Sequence, residues 1–195
     1  YAGMVSYRYR GKELIGQIPR PNFWRAPTDN DKGWNMPAVM GQWKLASLYS
    51  TARQVPVPGC GGLGDDIAVV YAYTLSSVPT GNCKLTYRVR SNGSVAVQLS
   101  MDSVAGIPEM PEFGMLFSFS ADFDKVIWYG NGPEETYADR RSGAKLGIYQ
   151  NKVMENLARY LIPQECGNKT AVRWARVENG EGHGILFSSE EEMNF

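Results

Sequence analysis

Histidine and cysteine are scarce in this sequence: one histidine, His183, and three cysteines, Cys60, Cys83 and Cys166, set far apart. A structural zinc site takes four Cys or His ligands in closely spaced groups, and no CxxC pair occurs, so the pattern argues against zinc. An odd number of scattered thiols makes no disulfide framework either, and the three read as small hydrophobes or loop residues. A cysteine nucleophile would need His183 as its base, and no Cys–His signature surrounds it. Charge of one sign is missing too, since 20 Lys+Arg balance 20 Asp+Glu. That balance excludes a bulk electrostatic grip on nucleic acid. No apolar run approaches the ~18 residues of a membrane helix, and Tyr1-Ala2-Gly3-Met4 does not open a signal-peptide pattern. The sequence also lacks a GxSxG elbow, a phosphate loop and a dinucleotide fingerprint.

What remains suits a packed globular unit. Hydrophobic residues make 43% and aromatics 12% of the 195 residues, a length that fits one domain. Most of the chain reads with period two, the mark of half-buried strands. Met4–Tyr9 leads through Arg10-Gly11-Lys12-Glu13 to Leu14-Ile15 as a short hairpin. Further strands are predicted at 67–75, 84–90, 94–101, 113–119, 126–129, 172–177 and 184–188. Short strands with Gly, Asn and Pro punctuation predict an all-β architecture. One helix is expected near Met36–Ser47, where Met36, Val39, Met40, Trp43 and Ser47 share a face and Pro37 sits in the first turn. A second short turn is expected from Pro133. The Pro/Gly-rich stretch 56–66 reads as a mobile surface loop.

Parity decides one hairpin. A two-residue Asn92-Gly93 loop would put Leu85/Tyr87/Val89 and Val95/Val97/Leu99 on opposite sheet faces. A three-residue loop, Ser91-Asn92-Gly93, pairs Val89 with Val95 and unites both sets, with Gly93 in the left-handed position of a bulge.

Three segments concentrate chemistry. Arg20–Gly33 sets Phe23 and Trp24 beside Asp29-Asn30-Asp31, which suits either a sugar site or a structured loop whose Asp and Asn side chains close turns. It does not suit an EF-hand, because Gly33 stands where a third ligand belongs. Trp128–Arg141 holds Glu134, Glu135 and Asp139. Glycoside hydrolysis wants two carboxylates facing each other across the scissile bond, roughly 5–10 Å apart, whereas these acids are near neighbours in sequence. Pairing of one of them with Arg140 or Arg141 is the alternative. The third segment runs from Tyr160 through Pro163-Gln164-Glu165-Cys166-Gly167 to Trp174.

In this order, these segments resemble the C-terminal β domain, or small chain, of bacterial β-galactosidases of glycoside hydrolase family 2. The matching residues are Pro21-Asn22-Phe23-Trp24-Arg25-Ala26-Pro27-Thr28-Asp29-Asn30-Asp31 with Gly33, then Tyr129-Gly130, Gly132-Pro133, Glu135, Tyr137 and Asp139-Arg140, then Pro163-Gln164-Glu165 with Gly167. Pro108-Glu109-Met110-Pro111 with Phe113-Gly114 is similar to the family's linking strand. The resemblance spans essentially the whole chain. It implies a galactose-mutarotase-like supersandwich of antiparallel sheets, a single small-chain domain over residues 1–195, and a place beside a TIM barrel that carries both catalytic glutamates of a retaining mechanism. The chain is therefore expected to be non-catalytic alone, with no catalytic residue of its own. A loop starting at Gly33 would reach toward the galactoside, making Gly33, Trp34 and Asn35 substrate-proximal. Arg25, Asp29, Asn30, Asp31, Glu135, Tyr137, Asp139, Arg140 and Glu165 would be structural.

The resemblance further implies no metal or other cofactor in this chain, with any Mg or Na in the barrel domain. It implies a homo-oligomeric parent, no nucleic-acid or membrane partner, and a bacterial protein of cytoplasm or periplasm. Cys166 departs from the family's usual Asn. Both ends read as cut, and the family's final Gly-Gly-Asp-Asp-Ser-Trp segment does not follow Phe195, so an incomplete sandwich from a longer polypeptide is expected. A free-standing carbohydrate-binding module is the competing reading, given five Trp and eleven Tyr. A mutarotase would need more histidine than His183 supplies.

Overall fold

The computed structural model describes residues 3–57 and 66–195, and within them the chain is mostly antiparallel strand. In chain order the first elements are β1 (Arg8–Tyr9), β2 (Lys12–Glu13) and β3 (Gln17–Asn22). Three short helices follow: α1 (Asp29–Gly33), α2 (Met36–Val39) and α3 (Gly41–Leu48). Then come β4 (Ser50–Val55), β5 (Ile67–Leu75), β6 (Cys83–Val89), β7 (Val95–Met101) and β8 (Gly114–Ser118). The last strands are β9 (Lys125–Gly132), β10 (Lys145–Lys152), β11 (Val172–Glu178) and β12 (Gly184–Met193), with a 3-10 turn at Val153–Asn156. None of the described helices is long and apolar enough to cross a membrane.

The strands fall into two compact units. The first comprises residues up to Val5 and Gln17–Ser118. Its four-stranded sheet runs β4-β5-β6-β7, and a two-stranded sheet pairs β3 with β8. The core gathers Phe23, Trp43, Ala46, Tyr73, Leu75, Val78, Cys83, Leu85 and Tyr87, all buried. Cys83 is a free thiol within this core, pushed up to about 11 by burial. Of the other cysteines, Cys166 is free and half-buried, and Cys60 lies outside the described residues, as does most of the 56–66 loop.

The hairpin between β6 and β7 has the three-residue loop that parity requires. Val89 pairs with Val95, Tyr87 with Val97 and Leu85 with Leu99. Gly93 has φ +85, and its N–H donates to the Arg90 carbonyl at 2.9 Å. A Cβ on Gly93 would meet nothing within 4 Å, so only the backbone conformation penalises a side chain there. Gly93→Ala is expected to cost about 1 kcal/mol and lower Tm by roughly 2–4 °C in a thermal melt.

Three strands escape the period-two reading. β3 contains Pro19 and Pro21, yet alternate residues of a strand present their backbone groups to opposite edges. The two prolines therefore spoil one edge only, and β8 pairs at Arg20–Asn22. β4 and β10 are edge strands, and polar residues occupy much of both. At the N-terminus, only Arg8–Tyr9 and Lys12–Glu13 form the ladder expected from Met4 onward. The Glu13 carboxylate accepts the Tyr7 N–H at 2.8 Å and the Ser6 hydroxyl at 2.6 Å, which holds this stretch by a side chain alongside the Leu14 N–H donating to the Tyr7 carbonyl at 2.9 Å.

The expected helix over Met36–Ser47 is broken. Met40 leaves helical geometry (φ −108, ψ 6) just before Gly41, separating α2 from α3. The break takes Val39 off the apolar stripe, leaving it 51% exposed while Met36, Trp43 and Ser47 stay buried.

The second unit comprises Ser6–Gly16 and Phe119–Phe195. Its sheet runs β10-β9-β11-β12, and it closes on two apolar clusters. One holds Val126, Trp128, Val172 and Ala175, with Tyr149 and Met193 packed on it. The other holds Leu14, Phe123 and Val177. Expected strands 126–129, 172–177 and 184–188 lie inside β9, β11 and β12, each longer than its apolar alternation because the ladder continues through polar residues.

Candidate functional site

In the first unit, β3 delivers the first motif from the core. Phe23 is fully buried between Trp43 and Phe113, at ring-centroid distances of 6.0 and 6.2 Å. Its N–H donates to the Ser47 hydroxyl at 2.8 Å. The Asn22 amide donates to the Trp24 carbonyl and to Glu112, at 2.6 and 2.7 Å. Burial raises the Glu112 carboxyl above its ordinary range, against the pull of that Asn22 bond. Trp43 Nε1 donates to the Pro108 carbonyl at 2.9 Å, joining the helical segment to the stretch expected as a linking strand, which is irregular from Pro108 to Phe113.

Beyond Trp24 the chain was expected to form an ordered loop. Residues 29–33 instead make the short helix α1, because Thr28 and Asp31 form a reciprocal capping box. The Asp31 N–H donates to Thr28 Oγ1, while the Asp31 carboxylate accepts the Thr28 N–H at 2.8 Å. Both Arg25 terminal nitrogens also donate to Asp31, at 2.5 and 3.2 Å, forming the bidentate pairing a guanidinium offers. Its side chain is 9% exposed, and the Arg25 contact is the chief reason its carboxyl falls to about 2. Asp29 sits at the surface, 3.7 Å from Lys32 Nζ. Asn30 accepts the Trp34 N–H through its carbonyl.

Gly33 closes α1, and the left-handed residue at this corner is Asn35, with φ +62, instead of the glycine. A loop of irregular backbone does not start at Gly33; α2 and α3 follow within a few residues. Trp34 stands at the corner between α1 and α2, 48% exposed.

In the second unit, the other two motifs are stitched together. β9 ends at Gly132, whose peptide bond to Pro133 is cis, and the chain then bends without the helical turn expected from Pro133. The bend is held by long-range bonds. Thr136 is buried, its N–H donates to the Asn168 carbonyl at 2.8 Å, and the Asn168 amide returns a bond to the Thr136 carbonyl at 2.7 Å. Thr170 donates its N–H and its hydroxyl to the Thr136 hydroxyl.

Glu135 is the centre of this arrangement. It accepts Arg140 at 2.5 Å, the Gly167 N–H at 2.8 Å and the Tyr160 hydroxyl. Arg140 also donates to Tyr160 at 2.6 Å and lies over the rings of Tyr137 and Tyr160. Burial raises the Tyr137 phenol strongly, and the charge of Glu165 adds to it. Asp139 is exposed, in the tight turn where Tyr137 and Arg140 exchange backbone bonds. Gly167, at φ +88, occupies a conformation that only glycine adopts at low cost.

Pairing of Arg140 with an acid is thus the outcome for the second motif. Glu135 and Asp31 are both engaged in holding backbone, the opposite of a carboxylate pair facing a bond to be cut. The sequence offered no role for Tyr160, Thr136, Asn168 or Thr170; each is an ordinary polar residue whose partner lies more than 20 positions away. Among the described residues, no cluster of His, Cys, Asp and Glu is arranged to hold a metal ion.

These features define a β-rich chain in which the motif acids Asp31 and Glu135 hold backbone. The family model described as "Beta galactosidase small chain" matches residues 1–195, and the chain belongs to that family. It is 40% identical over 182 residues to a β-galactosidase of Priestia megaterium, a match covering 93% of this chain and 17% of the relative. A β-galactosidase of Halalkalibacterium halodurans is 38% identical, with 97% and 19% covered. A protein of Latilactobacillus sakei named "Beta-galactosidase small subunit" is 29% identical, with 90% of this chain and 60% of that protein covered. The chain thus spans less than a fifth of the two full-length β-galactosidases.

Proposed function

We propose that this chain is the non-catalytic C-terminal domain of a β-galactosidase that hydrolyses terminal β-D-galactosides with retention. In this role it braces a TIM-barrel catalytic domain and shapes the mouth of the active site. Association with a larger catalytic chain is supported by the small-subunit name of the Latilactobacillus relative. The single observation that carries the reading is the use of Asp31 and Glu135 as backbone clamps, while Trp34 is left half-exposed on a rigid corner. Gly33, Trp34 and Asn35 are the residues proposed to face the sugar, with the Arg25–Asp31 pair fixing the corner that presents them. The parent is proposed to be a homo-oligomer, with any Mg or Na held by its barrel.

The isolated chain is expected to give no turnover of nitrophenyl β-galactoside above a buffer blank. Turnover that survives purification and disappears on mutating Glu135 or Asp139 would overturn the reading. In the intact enzyme, Trp34→Ala is expected to raise KM about tenfold through loss of a ring contact to the sugar. An unchanged KM would remove Trp34 from the substrate's surroundings. Glycan binding by the isolated chain without any effect of Trp34→Ala on the enzyme would favour a carbohydrate-binding module.

A further inference from the structure

In the second unit an open cleft of about 370 Å³ lies between the Pro133–Glu135 bend, β10 and the segment that follows it. Its size is at the lower end of the roughly 300–1,000 Å³ common for small-ligand sites. Lys169 lines it and is only 4% exposed. Among the described residues, the Lys169 ammonium has no carboxylate within ion-pair distance and no hydrogen-bond acceptor. It rests 5.0 Å from the centre of the Trp128 ring, with Glu134 and Glu135 acting on it only at longer range. Desolvation lowers its pKa. A buried ammonium whose donors go unused is costly unless something in the cleft accepts from them.

The remaining lining says what that acceptor is. Glu134, Glu135 and Glu155 line the cleft as well, Glu135 being already paired with Arg140, so the lysine faces three carboxylates and an anionic ligand would meet net repulsion. Asn151 and Asn156 have exchanged amide bonds with each other, at 2.8 and 3.0 Å, and Gln150, exposed on β10, also lines the cleft. Tyr149, half-buried and packed against Trp128 at 5.6 Å, contributes an aromatic wall. A cation that needs acceptors, the exposed Glu134 carboxylate able to accept, and a ring beside them are met together by neighbouring hydroxyls on a compact, uncharged ring. We propose that the cleft centred on Lys169 is a binding site for a neutral hexopyranoside. The site goes beyond the proposed accessory role and does not depend on it, since no residue of the Gly33–Asn35 corner takes part.

Hydrogen–deuterium exchange on the intact polypeptide tests this locally, with methyl β-D-galactopyranoside, methyl β-D-glucopyranoside and galacturonate as probes. At least one neutral pyranoside is expected to slow exchange in peptides covering 149–158 and 165–170. In Lys169→Met, which removes the ammonium but keeps a long apolar side chain, the concentration needed is expected to rise about tenfold, the effect of losing a charged donor. Glu134→Gln alters an exposed side chain, so it reads out the site even where the lysine variant does not fold, and a severalfold weakening is expected. Protection by galacturonate alone would overturn the proposal in favour of an anion site. No protection by either neutral sugar at saturation, or equal protection in wild type and Glu134→Gln, would overturn it outright.

Discussion

Asp31→Ala is expected to destabilise the chain by about 3 kcal/mol, at the lower end of what breaking a largely buried ion pair costs. The substitution leaves the Arg25 guanidinium without its bidentate partner and removes the acceptor of the Thr28 N–H, so the capping box of α1 loses its reciprocal half while the Thr28 hydroxyl still accepts the residue-31 N–H. For a chain of this length, Tm should fall by roughly 6–12 °C. The same carboxylate sets an acid limit. Its folded pKa is depressed, to about 2 from 3.8, so its contribution is fully present above about pH 4. That contribution is lost as pH falls through about 2. Chemical denaturation of wild type and Asp31→Asn at pH 7 and pH 2.5 checks the sign: the gap between them should shrink at the lower pH. A gap that stays constant would show that the Arg25–Asp31 pair contributes nothing to folding.

Glu135→Ala is expected to cost a similar amount, about 3 kcal/mol. It deletes the acceptor for Arg140, Tyr160 and the Gly167 N–H together, and bonds to a charged acceptor are each worth about 1.5–3 kcal/mol but are not additive. The Glu135 side chain is 14% exposed, so water replaces these bonds poorly. Glu135→Gln keeps an acceptor for the glycine N–H and should recover part of the loss. Arg140→Lys keeps the charge but not the fork between Glu135 and Tyr160, and should fall between wild type and Arg140→Ala. Thermal melts of the four variants test the ranking; equal Tm for Glu135→Ala and wild type would make the hub decorative. Because the acid holds Gly167 and the bend after Pro133, loss of function in such variants should track loss of folding.

Strands were legible where a sheet face is buried and alternation is therefore enforced, as in β6, where Cys83, Leu85 and Tyr87 are buried. β10 was not legible: Leu146 and Ile148 are apolar but exposed, and Lys145–Lys152 offers no buried stripe to mark its phase. The motif segments were visible as dense clusters of Trp, Asp, Glu and Arg, yet their partners were not. Arg25–Asp31 spans six residues and was open to local reasoning; Glu135–Gly167 spans 32 and was not.

By itself the sequence determined the all-β character, the three-residue loop at Ser91–Gly93 and the three motifs, since each is written in local pattern: alternation along a strand, parity across a short hairpin, and runs of aromatic and charged residues. Only the tertiary structure decided that Glu135 serves as a clamp, that Pro19 and Pro21 lie in a strand, and that Lys169 is buried with its ammonium over the Trp128 ring. Those outcomes depend on which distant backbone groups arrive beside a side chain, and composition and periodicity carry no record of that.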